Sequence, residues 1–495
     1  MGSKAAGLAR ILAASASGAL FALAQTFHPL WPALWLAPIP LLISAFSVGS
    51  AGTWGLVLVA GLIGAAPLAS YYAQVATPVG AGLIISLQVL DLGALVQLAR
   101  TAVRRGPAWA APLAYPLAAA GLDTLLAAVS PHGSAGSWAY SQMDFLPGLQ
   151  VAALGGAPAV VFLPALFAST AAVALVHRNR VAACALPLAL LGAGLGFGFA
   201  RLSLAKPEPT VSVALGALDE LPMDPKSAGG PSDPTLNAYV DLIGRQSASR
   251  PALILSPEHL ENLDASQAAV AEARLSGAAR SAGAVLVMVE GLKAEPHWRN
   301  AALVFGPDGG RRTIYVKRHL ISGLEGRFAP GKGTLVVEVA GRRLGVAICK
   351  DMDFASPASE YARQGVAALI VPAWDFGRDG WLHGRMAVLP GVEHGFGVIR
   401  SARDGLMSVS DRFGRVIAES PSQPAGANHL STATPGLLAS APLGPGALTP
   451  YDRGGWLFGW ACLVLAVLTR FAPAPRREAE ESRDDLSTGS ASSRR

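Results

Sequence analysis

Leu344-Gly345-Val346-Ala347-Ile348-Cys349 is a short apolar run that ends on a thiol. Two other segments share its form. Leu253-Ile254-Leu255-Ser256-Pro257-Glu258 passes through a proline and presents a carboxylate, and Ile314-Tyr315-Val316-Lys317 delivers an ammonium. Runs of Val, Ile and Leu this short, bounded by turn residues, read as buried strands. A strand end is a rigid place to hold a reactive side chain over a cleft. Further runs of the same kind lie at 210–218, 284–289, 301–305, 334–339 and 367–371, and Asp308-Gly309-Gly310 reads as a hairpin turn between two of them. Helical patterns at about 233–248, 265–282, 357–365 and 381–390 alternate with the strands, which indicates a layered α/β domain. The pattern leaves open whether the layers form one open sheet or a two-sheet sandwich.

Outward from this domain the composition changes. The 495-residue chain is 52% hydrophobic and 15% charged, and most of its charges fall after residue 202. A soluble domain carries about 25% charged residues. Runs long enough to span a bilayer, which takes about 20 apolar residues, occur at roughly 9–26, 30–47, 54–73, 80–100, 108–129, 156–177 and 181–201, with an eighth near 454–472. So many long uncharged runs exclude a single soluble protein with an apolar core. A cleaved signal peptide is a second reading of the first run, but the apolar segments that follow at once favour a retained helix. The division expected is a seven-helix transmembrane domain over 1–202, a catalytic domain over 203–453, a closing helix over 454–472 and a disordered tail over 473–495.

Basic residues set the expected orientation. Lys4 and Arg10, then Arg100, Arg104 and Arg105, then His177, Arg178 and Arg180, and finally Arg470, Arg476 and Arg477 all fall on one side if seven crossings start from the cytoplasm. Residues 203–453 then lie on the opposite, extracytoplasmic face. The net charge of +6 sits in these loops and tails, so it argues for membrane topology and against nucleic-acid binding. In the loop 130–155, Trp138 and Tyr140 read equally well as an interfacial aromatic belt and as a substrate-contacting loop.

Cys184 and Cys462 lie in apolar runs, and Cys349 is alone in the soluble part. Neither a disulfide nor a thiolate metal site is available there, so Cys349 is a structural or a reactive thiol. No metal or nucleotide motif appears, and no cofactor is expected. Taken singly, each strand-end residue has a bland reading: a solvated carboxylate, an edge lysine and a buried thiol.

In this order, Glu258, Lys317 and Cys349 resemble the Glu-Lys-Cys triad of the carbon–nitrogen hydrolase (nitrilase) superfamily. Lys317-Arg318-His319-Leu320 with Glu325 resembles the family's lysine segment and second glutamate. Asp351 and Phe354 match positions after the cysteine, and Val371-Pro372-Ala373-Trp374 the strand that follows. Val392-Glu393-His394-Gly395, Arg400-Ser401-Ala402 and Gly414-Arg415-Val416 resemble the closing strands. The resemblance implies an αββα sandwich, with Glu325, Asp351, Trp374 and Glu393 supporting the triad. Seven helices, a catalytic domain and a closing helix resemble the apolipoprotein N-acyltransferase branch. So do Trp31-Pro32-Ala33-Leu34-Trp35 through Leu41 and Leu149-Gln150-Val151 through Gly156.

That branch implies a phospholipid acyl donor, a lipoprotein acceptor, a Cys349 thioester and a place in the bacterial inner membrane with the catalytic domain in the periplasm. Glu258 would act as base, Lys317 would stabilise the oxyanion, Glu325 would hold Lys317, and Asp351 would polarise the nucleophile's surroundings. Two departures leave the acceptor open. Lys350-Asp351 stands where the branch has Tyr-Glu, and Ile321 to Arg327 lacks the usual proline and aromatics. The Lys350 side chain is expected to point to solvent. A membrane-anchored amidase hydrolysing a soluble amide is the second reading, and a non-enzymatic receptor or transporter the third. For the third, only Asp91 and Asp123 are ionisable residues well inside the predicted helices.

Overall fold

A computed structural model of the chain describes residues 3–221, 226–424 and 436–471. The expected tail at 473–495, with Arg476 and Arg477, lies outside the described residues.

The alternation of side chains along each strand explains the layering of the soluble part. Leu344, Val346 and Ile348 belong to one apolar core, while Ala347 packs on the opposite face with Tyr361 and Ala362. Leu253 and Leu255 enter that same core, and Ile254 packs outside it with Tyr239 and Leu242. The shared core therefore lies between two sheets.

The first sheet has seven strands. Leu437–Pro442, Thr210–Leu215, Leu253–Leu255, Val285–Ala294, His297–Phe305 and Arg311–Val316 lie side by side, and Asn262–Leu263 pairs with the far end of Val285–Ala294. The second has six, in the order Val416–Pro421, Leu406–Ser410, Gly397–Arg403, Ala368–Trp374, Arg342–Val346 and Val336–Val339. Helices Pro234–Ser247 and Ala265–Ala282 cover the first sheet; Ala355–Arg363 and Gly380–His394 cover the second. The result is an αββα sandwich.

One sequence expectation is corrected here. Val392 to Gly395 is not a closing strand: Val392, Glu393 and His394 form the last turn of Gly380–His394, which Gly395 ends in the left-handed conformation at φ 78°. A strand reading failed because the apolar residues Met386, Ala387, Leu389 and Pro390 continue a helical face into it.

In the N-terminal half, helices Ser3–Ala24, Ala110–Val129, Ala152–Val176 and Ala185–Ser203 are long and apolar. The runs at 54–73 and 80–100 form one element, Ser50–Arg105, which reverses at Ala76 and Thr77, where φ and ψ leave the helical range. Its two arms are antiparallel: Gln97 donates to Ser50 O at 2.9 Å and Arg100 to Val48 O at 2.8 Å. The run at 30–47 is one apolar helical stretch, Trp31–Phe46, short of a full span. Its hydrogen-bond ladder thins beside Ala37, which stays helical at φ −53° and ψ −43°, because Pro38 and Pro40 lack N–H groups. The closing helix is Leu457–Phe471.

Glycines set the closest approaches between these helices. A Cβ on Gly121 would lie 2.5 Å from Leu463 Cα, and one on Gly93 1.9 Å from the Trp54 ring. Small residues at such crossings let backbones touch, which is how helices pack where lipid removes the hydrophobic drive.

Candidate active site

The three strand-end side chains converge. Leu253–Leu255 halts at Ser256-Pro257, and the Glu258 N–H then donates to Ala373 O at 3.1 Å, so the carboxylate is set between the two sheets. Lys317 is the first residue past Arg311–Val316, held by its N–H on Asn300 O at 2.9 Å. Its Nζ reaches Glu258 Oε1 at 2.6 Å and Glu325 Oε2 at 3.0 Å. Cys349 opens a 3-10 turn after the strand Arg342–Val346, and its Sγ is 3.9 Å from Trp374 O. Its φ of 46° lies in the left-handed region that non-glycine residues seldom adopt. That conformation turns the thiol out of the strand line toward Glu258 and Lys317, both of which act on it electrostatically.

Burial governs the protonation states. The Cys349 thiol is pushed well above its ordinary value by burial and by Glu258, with Lys317 pulling the other way. The resting group is therefore the thiol, and it needs a base in reach. Burial also raises Glu258, while Lys317 opposes that rise. For Lys317, burial would lower the pKa, but Glu258, Cys349 and Glu325 more than offset it and keep the ammonium charged.

Of the supporting residues, Glu325 joins this cluster directly. Asp351 lies beside it as a fully buried tie. Its Oδ1 accepts from the N–H groups of Arg318 and His319, and its Oδ2 accepts from the Tyr315 hydroxyl and the Ile348 N–H, all at 2.8–3.1 Å. Asp351 thus locks the end of the lysine strand to the cysteine turn, and it reaches Cys349 only through the backbone. Trp374 offers its carbonyl to the thiol, while its indole N–H donates to Asp404 at 2.8 Å.

Glu393 sits elsewhere. Its carboxylate accepts from the Ala157 N–H at 2.7 Å, just past a break in helix Ala152–Val176 at Gly155 and Gly156. It caps the restarted membrane helix, a favourable place for an anion, and does not join the triad cluster. Lys350 also departs from expectation. It is buried, 5% exposed, and its Nζ donates to His132 Nδ1 at 3.0 Å. The loop 130–137 turns it inward by covering the cysteine turn; there Ser134 N donates to Asp353 O at 2.9 Å.

Sequence reading missed three features of the site. Asn300 donates to both Glu258 Oε1 (2.7 Å) and Glu325 Oε1 (2.9 Å), making it the hub between the two carboxylates. A lone amide entering the apolar run Ala301–Phe305 was its only signal. Arg400 and Asp375 form a buried two-pronged pair at 2.6 and 3.1 Å. Asp353, whose carboxyl is pushed up to about 6 by burial, faces the same space as Cys349.

That space is a chamber of about 1010 Å3. Its upper wall holds Cys349, Lys350, Asp353, Trp374 and Arg400, and its lower wall is made by membrane helices through Leu68, Ile84, Leu87, Leu122, Leu126 and Val129. The loop residues Ser130 to Tyr140 join the two walls.

Sequence comparison agrees with this division. Residues 241–390 match the carbon-nitrogen hydrolase family, so the sandwich is a nitrilase-superfamily domain. Residues 17–170 match the apolipoprotein N-acyltransferase N-terminal domain. Each stretch is about a third of the chain, and together they support an apolipoprotein N-acyltransferase within that superfamily. Apolipoprotein N-acyltransferase of Geobacter metallireducens is 29% identical over 154 residues, 30% of this chain and 27% of the relative. The match thus spans about a quarter of that relative's length. Among solved structures, an amidase from Nesterenkonia sp. aligns with 22% identity and a TM-score of 0.41, over 51% of this chain and 95% of that one. A cysteine variant of the Nesterenkonia AN1 amidase aligns with 22% identity and a TM-score of 0.41, over 50% and 95%.

Proposed function

We propose that this chain moves a fatty acyl group from a phospholipid to the N-terminal amine of a diacylglyceryl-cysteine lipoprotein, by way of a thioester on Cys349. The observation that carries this reading is the chamber that runs from Cys349 into the membrane helices. Its lower wall, largely apolar but with Gln88, Asp91 and Asp123 on it, suits acyl chains, and its upper wall carries the reacting groups. The reaction takes place at the periplasmic face of the bacterial inner membrane: the charge pattern of the loops supports an extracytoplasmic side for residues 203–453, and the family resemblance supports a periplasm there.

Glu258 and Cys349 carry out the first half. As the sulfur attacks the ester carbonyl, Glu258 takes the thiol proton. Lys317 and the Lys350 N–H stabilise the oxyanion. The ester C–O bond breaks, the lysophospholipid alkoxide leaves with the proton held by Glu258, and the acyl group remains on sulfur. In the second half the acceptor amine attacks the thioester and Glu258 takes the amine proton. The C–S bond then breaks, the amide departs, and Cys349 recovers its proton from Glu258. Asn300 and Glu325 keep Lys317 and Glu258 in register through both halves. The membrane-anchored amidase would use the same attack by Cys349 on an amide, whose C–N bond breaks as the amine leaves with the proton from Glu258, and water as the second nucleophile.

Intact-mass analysis of the detergent-purified chain after incubation with phospholipid tests the reading. A long-chain adduct is expected on the wild type, absent from Cys349→Ala and discharged by an amino-terminal lipopeptide. No adduct, on protein whose Cys349 still reacts with an alkylator, would sink the transferase and favour the amidase.

A further inference from the structure

Lys350 is the least explained side chain near the thiol. A buried ammonium normally has a carboxylate partner, yet among the described residues Lys350 forms no ion pair, and its one hydrogen bond is to His132 Nδ1. A charged lysine can only donate, so His132 accepts at Nδ1 and carries its own proton on Nε2. Two Lys350 N–H groups and the His132 Nε2–H are thus left without a recorded protein partner on the chamber wall. Burial lowers the Lys350 pKa, and burial followed by Lys350 lowers that of His132. Both groups lose hydration on the chamber wall, which a bound anion would restore. Asp353 is near enough to act on Lys350 electrostatically, but it lies beyond ion-pair distance and its carboxyl is itself pushed up to about 6.

The position matters as much as the chemistry. Lys350 follows the nucleophile directly, and His132 comes from the loop that joins the membrane helices to the cysteine turn. In a glycerophospholipid the phosphate is only a few bonds from the ester that Cys349 would attack. We propose that Lys350 and His132 form a phosphate-binding site on the wall of the chamber, holding the phosphodiester of the acyl donor while its ester reaches Cys349. The inference deepens the transferase reading and depends on it. The pair selects donors by headgroup charge.

The test compares two donors with the same acyl chains, phosphatidylglycerol and diacylglycerol, offered to the full-length protein in micelles. Thioester on Cys349 is followed by intact mass. Wild type is expected to show a KM at least tenfold lower for the phospholipid. In Lys350→Gln the two KM values converge to within about twofold, as loss of a charge-assisted hydrogen bond worth about ten- to a hundredfold requires. Lys350→Arg restores most of the preference, and His132→Asn, on a separate element, loses part of it.

Inorganic phosphate distinguishes the sources. Millimolar inhibition of wild type, absent in Lys350→Gln, supports the site with soluble phosphate as a ligand. No inhibition together with the tenfold preference supports a lipid headgroup alone. Full retention of the preference in both Lys350→Gln and His132→Asn overturns the inference, as does equal acylation of wild type by both donors. No thioester from either donor would instead sink the transferase reading itself.

Discussion

The sandwich and the helical half use apolar residues in opposite ways. Between the two sheets, large aliphatic side chains such as Leu344, Val346, Ile370 and Ile399 fill a dry core, and stability follows from the area they remove from water. Between the membrane helices, Gly18 and Gly121 let neighbouring backbones touch, and Gly93 makes room for the Trp54 ring; what counts is the absence of a side chain. One residue class drives folding by filling space in the first region, and another permits packing by leaving it empty in the second. The candidate active site sits where the two regimes meet.

Four changes can break or sharpen that contrast. The largest effect is expected at the seam. Arg400→Met leaves Asp375 as an uncompensated buried carboxylate and should cost about 3–5 kcal/mol, read as a lower denaturation midpoint of the purified protein. An unchanged midpoint would mean that His383, 3.4 Å from Asp375 Oδ1, carries the charge alone. Next is Leu344→Ala, which empties part of the inter-sheet core at a cost of about 2–5 kcal/mol. The converse change, Gly121→Leu, drives a side chain into the Leu463 backbone and should cost about 1–3 kcal/mol. Faster proteolysis at the closing helix would report it. Leu344→Ala and Gly121→Leu with equal effects in both halves would dissolve the comparison.

The smallest effect concerns pH. In the proposed mechanism Glu258 is the base for thioester formation, so the rate falls as pH drops through its pKa, and burial places that acid limb above the ordinary glutamate range. Asn300→Ala removes a donor to the ionised carboxylate, moves the limb further up and should slow acylation about two- to tenfold at mildly acidic pH. A profile that does not move would show that Asn300 serves only to space Glu258 and Glu325.

Much of this was legible from the chain because the signals were local. Strand periodicity at Leu253–Leu255 and Arg342–Val346 located the two residues that follow them, and apolar run length located the helices. The choice between an open sheet and a sandwich was not local. It depends on Leu437–Pro442 returning to pair with Thr210–Leu215 across more than two hundred residues, and no turn or motif announces that. The site shows the same limit. Glu258, Lys317 and Cys349 stand out because each follows a strand, but Asn300 lies where its chemistry is visible only from the strand beside it. Lys350 was misjudged because a charged residue in a turn ordinarily faces water, and its cover comes from a loop 218 residues away. Glu393 was misplaced because its partner is a break in a membrane helix, which pattern alone did not connect to it.

The sandwich is joined to a long apolar helix at each of its ends, Ala185–Ser203 before it and Leu457–Phe471 after it. A thiol moored twice in this way cannot leave the plane of the bilayer to search for reactants. For such an enzyme, concentration is a surface density. On the proposed transferase reading, spreading the same amounts of donor and acceptor through more inert amphiphile will slow the reaction even when every bulk molarity is held constant. Crowding the leaflet with other lipids will act as competition. The natural unit of its kinetics is mole fraction, and the diffusion that sets its upper rate is lateral.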